Sequence, residues 1–157
     1  MRPTTTRRRT LAAVTAALIF ATAVAAAPGA QVQVPAFDDV RARTVEFIGY
    51  SQAIALTKEQ EKTKREALGA IPAPCCADYS IATCCCPCNL AKSVWGLANY
   101  AIARLGYDAP RTRALIVDWL KATNPKGYTG DSCFRGGCPK PFAANGCGGM
   151  KEDALVF

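Results

Sequence analysis

At 157 residues, half of them apolar, the chain has the length of one domain with a single modest core, which excludes a two-core architecture. Its 19 basic and 12 acidic residues give a formal charge of +7, but Arg2, Arg7, Arg8 and Arg9 fall in residues 1–30, where no acid lies, so the remainder carries only +3. That balance removes the main support for nucleic-acid binding, and it leaves nine cysteines with no histidine as the distinguishing chemistry.

The N-terminus runs basic, then apolar from Leu11 to Ala27, then small, ending AAAPGA. These three regions predict a signal peptide over residues 1–30, with Val24 and Ala26 at the small positions before the cut and a periplasmic or secreted mature part over 31–157. Arg8 and Arg9, followed by Thr10 and Leu11, also fit a twin-arginine export signal, a route for folded and often cofactor-loaded proteins. The competing reading is an uncleaved anchor, because the apolar run is just under the roughly 20 residues that a spanning helix needs. On either reading, the membrane is met only through the export signal.

The mature part predicts a mainly α fold of three to four helices with an irregular Gly/Cys-rich C-terminal segment. Residues 37–50 open with Asp38 and Asp39 and place Val40, Thr44, Phe47 and Ile48 on one helical face, although 45–48 also suits a strand. Thr57 and Gln60 form a capping box for a charged second helix, which Pro72 and Pro74 stop. A third helix follows Pro87, taken in its first turn, with Leu90, Val94, Leu97, Ala98, Ala101, Ile102 and Leu105 on one stripe and Gly106 at its end. Asp108 caps a fourth, which has Pro110 in the first turn and Leu115, Ile116, Trp119 and Leu120 facing inward; it ends near Asn124. Trp95 and Trp119 read as core or rim aromatics. Residues 126–157 are rich in Gly, with several Pro and no periodicity, so cysteines must hold them in place.

The cysteines fall into two groups: Cys75, Cys76, Cys84, Cys85, Cys86 and Cys88, then Cys133, Cys138 and Cys147. Crowded thiolates repel one another unless a cation is present, so the leading expectation is that these nine hold a soft or borderline metal: Cu(I), Zn(II) or an iron–sulfur cluster. In this picture the start of the third helix presents Cys84 to Cys88 and the C-terminal loop folds over it. The first alternative is a disulfide-stapled structural or binding domain with no metal, in keeping with export. Neighbouring cysteines rarely bridge each other, so each member of the 84–86 run would need its own distant partner. The second alternative is thiol–disulfide exchange at Cys85 and Cys88, a CxPC at a helix start, where the helix dipole and Lys92 would favour a thiolate. Without histidine, the Ser-His-Asp and Cys-His mechanisms and c-type haem attachment are excluded, and no paired acids or phosphate-binding loop suggest another enzyme. A protein partner on the helical face is compatible with all three readings.

The order CCCPC, then Ser132-Cys133-Phe134, then NGCGG at residues 145–149, resembles that of small exported bacterial proteins named for a PCYCGC motif. The resemblance implies an exported cysteine-cluster protein in which Cys84, Cys86, Cys88, Cys133 and Cys147 are the candidate functional residues. It implies no mechanism.

Overall fold

The computed structural model describes residues 32–84, 86–132 and 140–157; the expected signal segment lies outside them. The described residues form a mainly α domain with helices α1 (Val40–Ala53), α2 (Lys58–Gly69), α3 (Asn89–Ala103) and α4 (Ala109–Thr123). Between α2 and α3 runs a short antiparallel hairpin, β1 (Pro72–Ala73) and β2 (Cys76–Ser80). None of the described helices is long and apolar enough to cross a membrane.

Side-chain caps fix the helix starts, because the first N–H groups of a helix have no partner within it. Asp39 Oδ1 accepts from the Ala42 N–H at 2.9 Å, and Asp108 Oδ1 accepts from the Arg111 N–H at 2.9 Å. At α2 the capping box is complete: the Gln60 N–H donates to Thr57 Oγ1, and the Thr57 N–H donates to Gln60 Oε1. The stretch 45–48, ambiguous by sequence, is helical and buries Phe47 and Ile48. Arg113 ties the other end of α2 to α4 by donating to the carbonyls of Glu66 and Ala67.

α3 is the central element, buried on nearly every side. Its start differs from the sequence expectation. Pro87 precedes the helix and Cys88 is the N-cap, while the C-terminal end comes at Ala103, before Gly106. Trp119 of α4 is fully buried; its indole N–H donates to Ser93 Oγ at 3.1 Å, and Phe47 meets its ring edge-on at a 4.9 Å centroid distance. α1 crosses α3 at Gly96. A Cβ built there would lie 1.7 Å from the Phe47 carbonyl oxygen, so only glycine lets the two backbones approach this closely.

The hairpin has no clear sequence signal because β1 is two residues long and contains a proline. It is held from outside. The Ile81 N–H donates to the Ile71 carbonyl, and Gly130 bridges the two strands by accepting from the Ala77 N–H and donating to the Pro74 carbonyl. The positive φ of Gly130 and its tight approach to Ala77 make it the residue that fits there.

Gly96→Ala is expected to destabilise the domain by roughly 3 kcal/mol, the upper end of overpacking costs, because the clash is with backbone rather than with a side chain that can turn away. The midpoint of urea unfolding measures this, and an unchanged midpoint would contradict the close α1–α3 crossing.

Candidate thiol site

The segment between the hairpin and α3 carries the sequence-predicted cysteines, and the C-terminal segment folds over it. The Asn89 N–H donates to the Gly149 carbonyl at 2.9 Å, and the Leu90 N–H donates to the Cys147 carbonyl at 3.1 Å. The buried Asn89 side chain donates from Nδ2 to the carbonyls of Gly148 and Lys151. Gly148 and Gly149 both have positive φ, and the Phe142 ring lies where a Cβ of Gly148 would fall. This explains the NGCGG run in backbone terms. Lys92, expected to favour a thiolate, instead reaches the same segment; its Nζ donates to the Met150 carbonyl and pairs with Glu152 at 3.0 Å.

With Asn89 and Leu90 paired in this way, the third N–H of the turn, that of Ala91, falls to Cys88, whose Sγ accepts it at 3.5 Å. Sulfur is a weaker acceptor than the Ser, Thr, Asp or Asn oxygen usual at an N-cap. Cys88 is 2% exposed and packs with Leu90, Ala91, Phe142 and Cys147; Cys84, Tyr128 and Met150 line the edge of that cluster.

Three sulfurs meet at Cys84. Cys88, the Cys86 backbone and Cys75 act on its Sγ as neighbours that favour the thiolate. The Cys88 hydrogen bond is the largest influence. Partial burial opposes it, and the Cys86 and Cys75 donors add to it, so the Cys84 pKa falls from 9.0 to about 6. Cys88 moves the other way, because it supplies the proton of that bond and is buried, with only the Ala91 N–H favouring its thiolate. The two sulfurs are thus pushed in opposite directions, the more exposed Cys84 toward the thiolate and the buried Cys88 toward the thiol.

Of the nine predicted site residues, the structure brings together Cys75, Cys84 and Cys88, with Cys86 contributing its backbone N–H. Cys76 lies on β2 and is partly exposed. Cys147 is buried beside Cys88, and Cys76, Cys84 and Cys88 are thiols. Cys85, Cys133 and Cys138 lie outside the described residues. Cys88 is coupled to Cys84 among the described residues, and the CxPC reading, which pairs it with Cys85, lies outside them. Among the described residues, no group of three or more Cys, Asp or Glu side chains is set to hold a metal ion.

Sequence reasoning missed Tyr128. Burial raises its pKa, the Thr123 hydroxyl lowers it and the nearby Cys88 raises it further. Tyr128 also lines an open groove of about 690 Å³ between the hairpin and the C-terminal end of α4, with Pro72, Pro74, Val117 and Leu120 as apolar wall. No local pattern marks it, since it is brought in by the turn after α4.

The rate of Cys84 alkylation by iodoacetamide, followed by peptide mapping, is expected to rise about tenfold per pH unit and to level off above about pH 6, since the thiolate is the nucleophile. Cys88→Ala, which removes the leading donor, moves that midpoint up toward 9.0; a wild-type midpoint already near 9.0 would contradict the influence of Cys88. No family model, curated protein or solved structure matches this chain, so its function rests on the chemistry of its own residues.

Proposed function

We propose that the chain is an exported dithiol protein in which Cys84 and Cys88 exchange with the disulfide of a partner molecule. The observation that carries this reading is the inequality of the two sulfurs: Cys84 is partly exposed and its pKa is lowered, while Cys88 is buried and its pKa is raised. Exchange needs such a division between an attacking thiolate and a resolving thiol held in reserve.

The steps balance without an added reductant. Cys84 Sγ attacks one sulfur of R–S–S–R′, forming Cys84–S–S–R and releasing R′–S⁻. Its negative charge is then gone, and with it the leading influence that kept Cys88 protonated. Cys88 gives its proton to the released thiolate, attacks Cys84 Sγ, closes the Cys84–Cys88 disulfide and expels R–S⁻. The charge on Cys84 thus restrains Cys88 until the mixed disulfide exists.

A second reading is a soft-metal site on the same sulfurs. It draws on the two coupled sulfurs of Cys84 and Cys88, where a cation such as Cu(I) would take the place of the thiol proton. Two thiolates suffice for Cu(I).

Reduction of a disulfide-linked peptide with glutathione as the electron source tests the first reading. Wild type accelerates the reaction, Cys84→Ser loses roughly two orders of magnitude, and Cys76→Ser keeps the wild-type rate. Equal rates for wild type and Cys84→Ser would reject exchange. For the second reading, anaerobic competition against a Cu(I)-specific chelator is expected to give one Cu(I) per chain, lost in Cys84→Ser and retained in Cys76→Ser; failure of wild type to compete would remove the metal reading and leave exchange untouched.

A further inference from the structure

The groove between the hairpin and the C-terminal end of α4 has no part in the sulfur chemistry. It is open, holds about 690 Å³, and has Pro72, Pro74, Val117, Leu120 and Tyr128 as apolar wall. Its polar groups are already engaged within the chain. The Asn124 side chain donates to the Gly127 carbonyl and accepts from the Lys126 N–H, the Tyr128 hydroxyl pairs with that of Thr123, and the N–H and carbonyl of Gly130 are taken by Pro74 and Ala77. Groups so paired leave little to hold the backbone of an incoming strand. What the groove offers is apolar surface and positive charge.

The charge is one-sided. Lys121 and Lys126 stand exposed at the rim, and none of the described residues lining the groove is acidic. Lys121 lies 3.8 Å from Asp118 on its own helix, but both side chains are mostly exposed and water screens the pair. Lys126 lies beyond the end of α4 and makes no ion pair among the described residues. An apolar body with a carboxylate beside it therefore complements the groove. Leu120 and Tyr128 also pack against the buried cluster that contains Cys88 and that Cys84 borders. A ligand in the groove is separated from that cluster by one layer of side chains.

We propose that this groove docks a segment of a partner protein in which leucine-sized apolar side chains stand beside Asp or Glu. The apolar side chains cover Val117 and Leu120, and the carboxylates meet Lys126 and Lys121. The groove stands on its own geometry; only the consequence, that the docked segment flanks the disulfide exchanged at Cys84, rests on the exchange reading above.

Fluorescence anisotropy of dye-labelled, cysteine-free peptides against the chain tests this. Wild type is expected to bind a Leu-Leu-Glu-Glu peptide about tenfold more tightly than its Leu-Leu-Lys-Lys and Ser-Ser-Glu-Glu counterparts, with the charge preference shrinking as salt rises. Lys126→Glu removes that preference, Lys121→Glu/Lys126→Glu reverses it, and Val117→Ser weakens binding of both leucine peptides; thermal unfolding establishes that each variant is folded. Equal affinity of wild type for the acidic and basic peptides, or a preference that survives in the double variant, overturns the docking site. A wild-type dimer in sedimentation that dissociates in the double variant would assign the groove to a second copy and overturn the partner. The acidic peptide carrying a disulfide separates the two readings. Docking without exchange removes the exchange reading and leaves the groove, whereas exchange with no charge preference removes the groove and leaves exchange.

Discussion

The carbonyls of Cys147 and Gly149, accepting from the N–H groups of Leu90 and Asn89, fix the first turn of α3 from a segment far along the chain. A helix start needs acceptors, and Cys88 supplies only a weak one to Ala91. Because the C-terminal segment takes the other two donors, the helix can begin at a cysteine whose thiol proton remains available to Cys84. The same clasp binds Asn89 through both protons of its side-chain amide and draws Lys92 away from the sulfurs toward Met150 and Glu152. Glycines at 148 and 149 permit the turn that brings these carbonyls into line.

The sulfur chemistry follows from that arrangement. The N–H groups of Asn89 and Leu90 are directed at the C-terminal carbonyls, so the lowered pKa of Cys84 rests on nearer neighbours, Cys88 first among them. A charge stabilised by shared thiol protons can be withdrawn by chemistry at one sulfur, which then releases the others. A thiolate stabilised by a fixed lysine would lack that coupling.

Much of the scaffold was legible in the sequence because its signals are local. Thr57 with Gln60, Asp108 with Pro110, and the apolar stripe of α3 each specify their element within a few residues, and the structure has them as expected. The position of Pro87 was misjudged by about half a turn, since a cysteine N-cap is not a pattern that propensities favour. The hairpin was invisible because its pairing depends on Gly130, some fifty residues downstream. Of the expected fold-over of the C-terminal segment, the described residues contain the contacts of Cys147 and Gly149 with the start of α3, while Cys133 and Cys138 lie outside them. The inequality of Cys84 and Cys88 was not anticipated, because adjacency in sequence says nothing about which sulfur is buried and which is the more readily ionised.

The account centres on Cys84 and Cys88 as one two-electron couple. Equilibration of the protein in glutathione buffers of graded poise, followed by acid quenching and disulfide mapping, measures this directly. The predicted result is a single two-electron transition in which reduced Cys84 and Cys88 become linked to each other, with Cys76 still alkylatable throughout. A transition in which Cys84 and Cys88 bridge to other cysteines, or remain thiols while the buffer becomes fully oxidising, would contradict it.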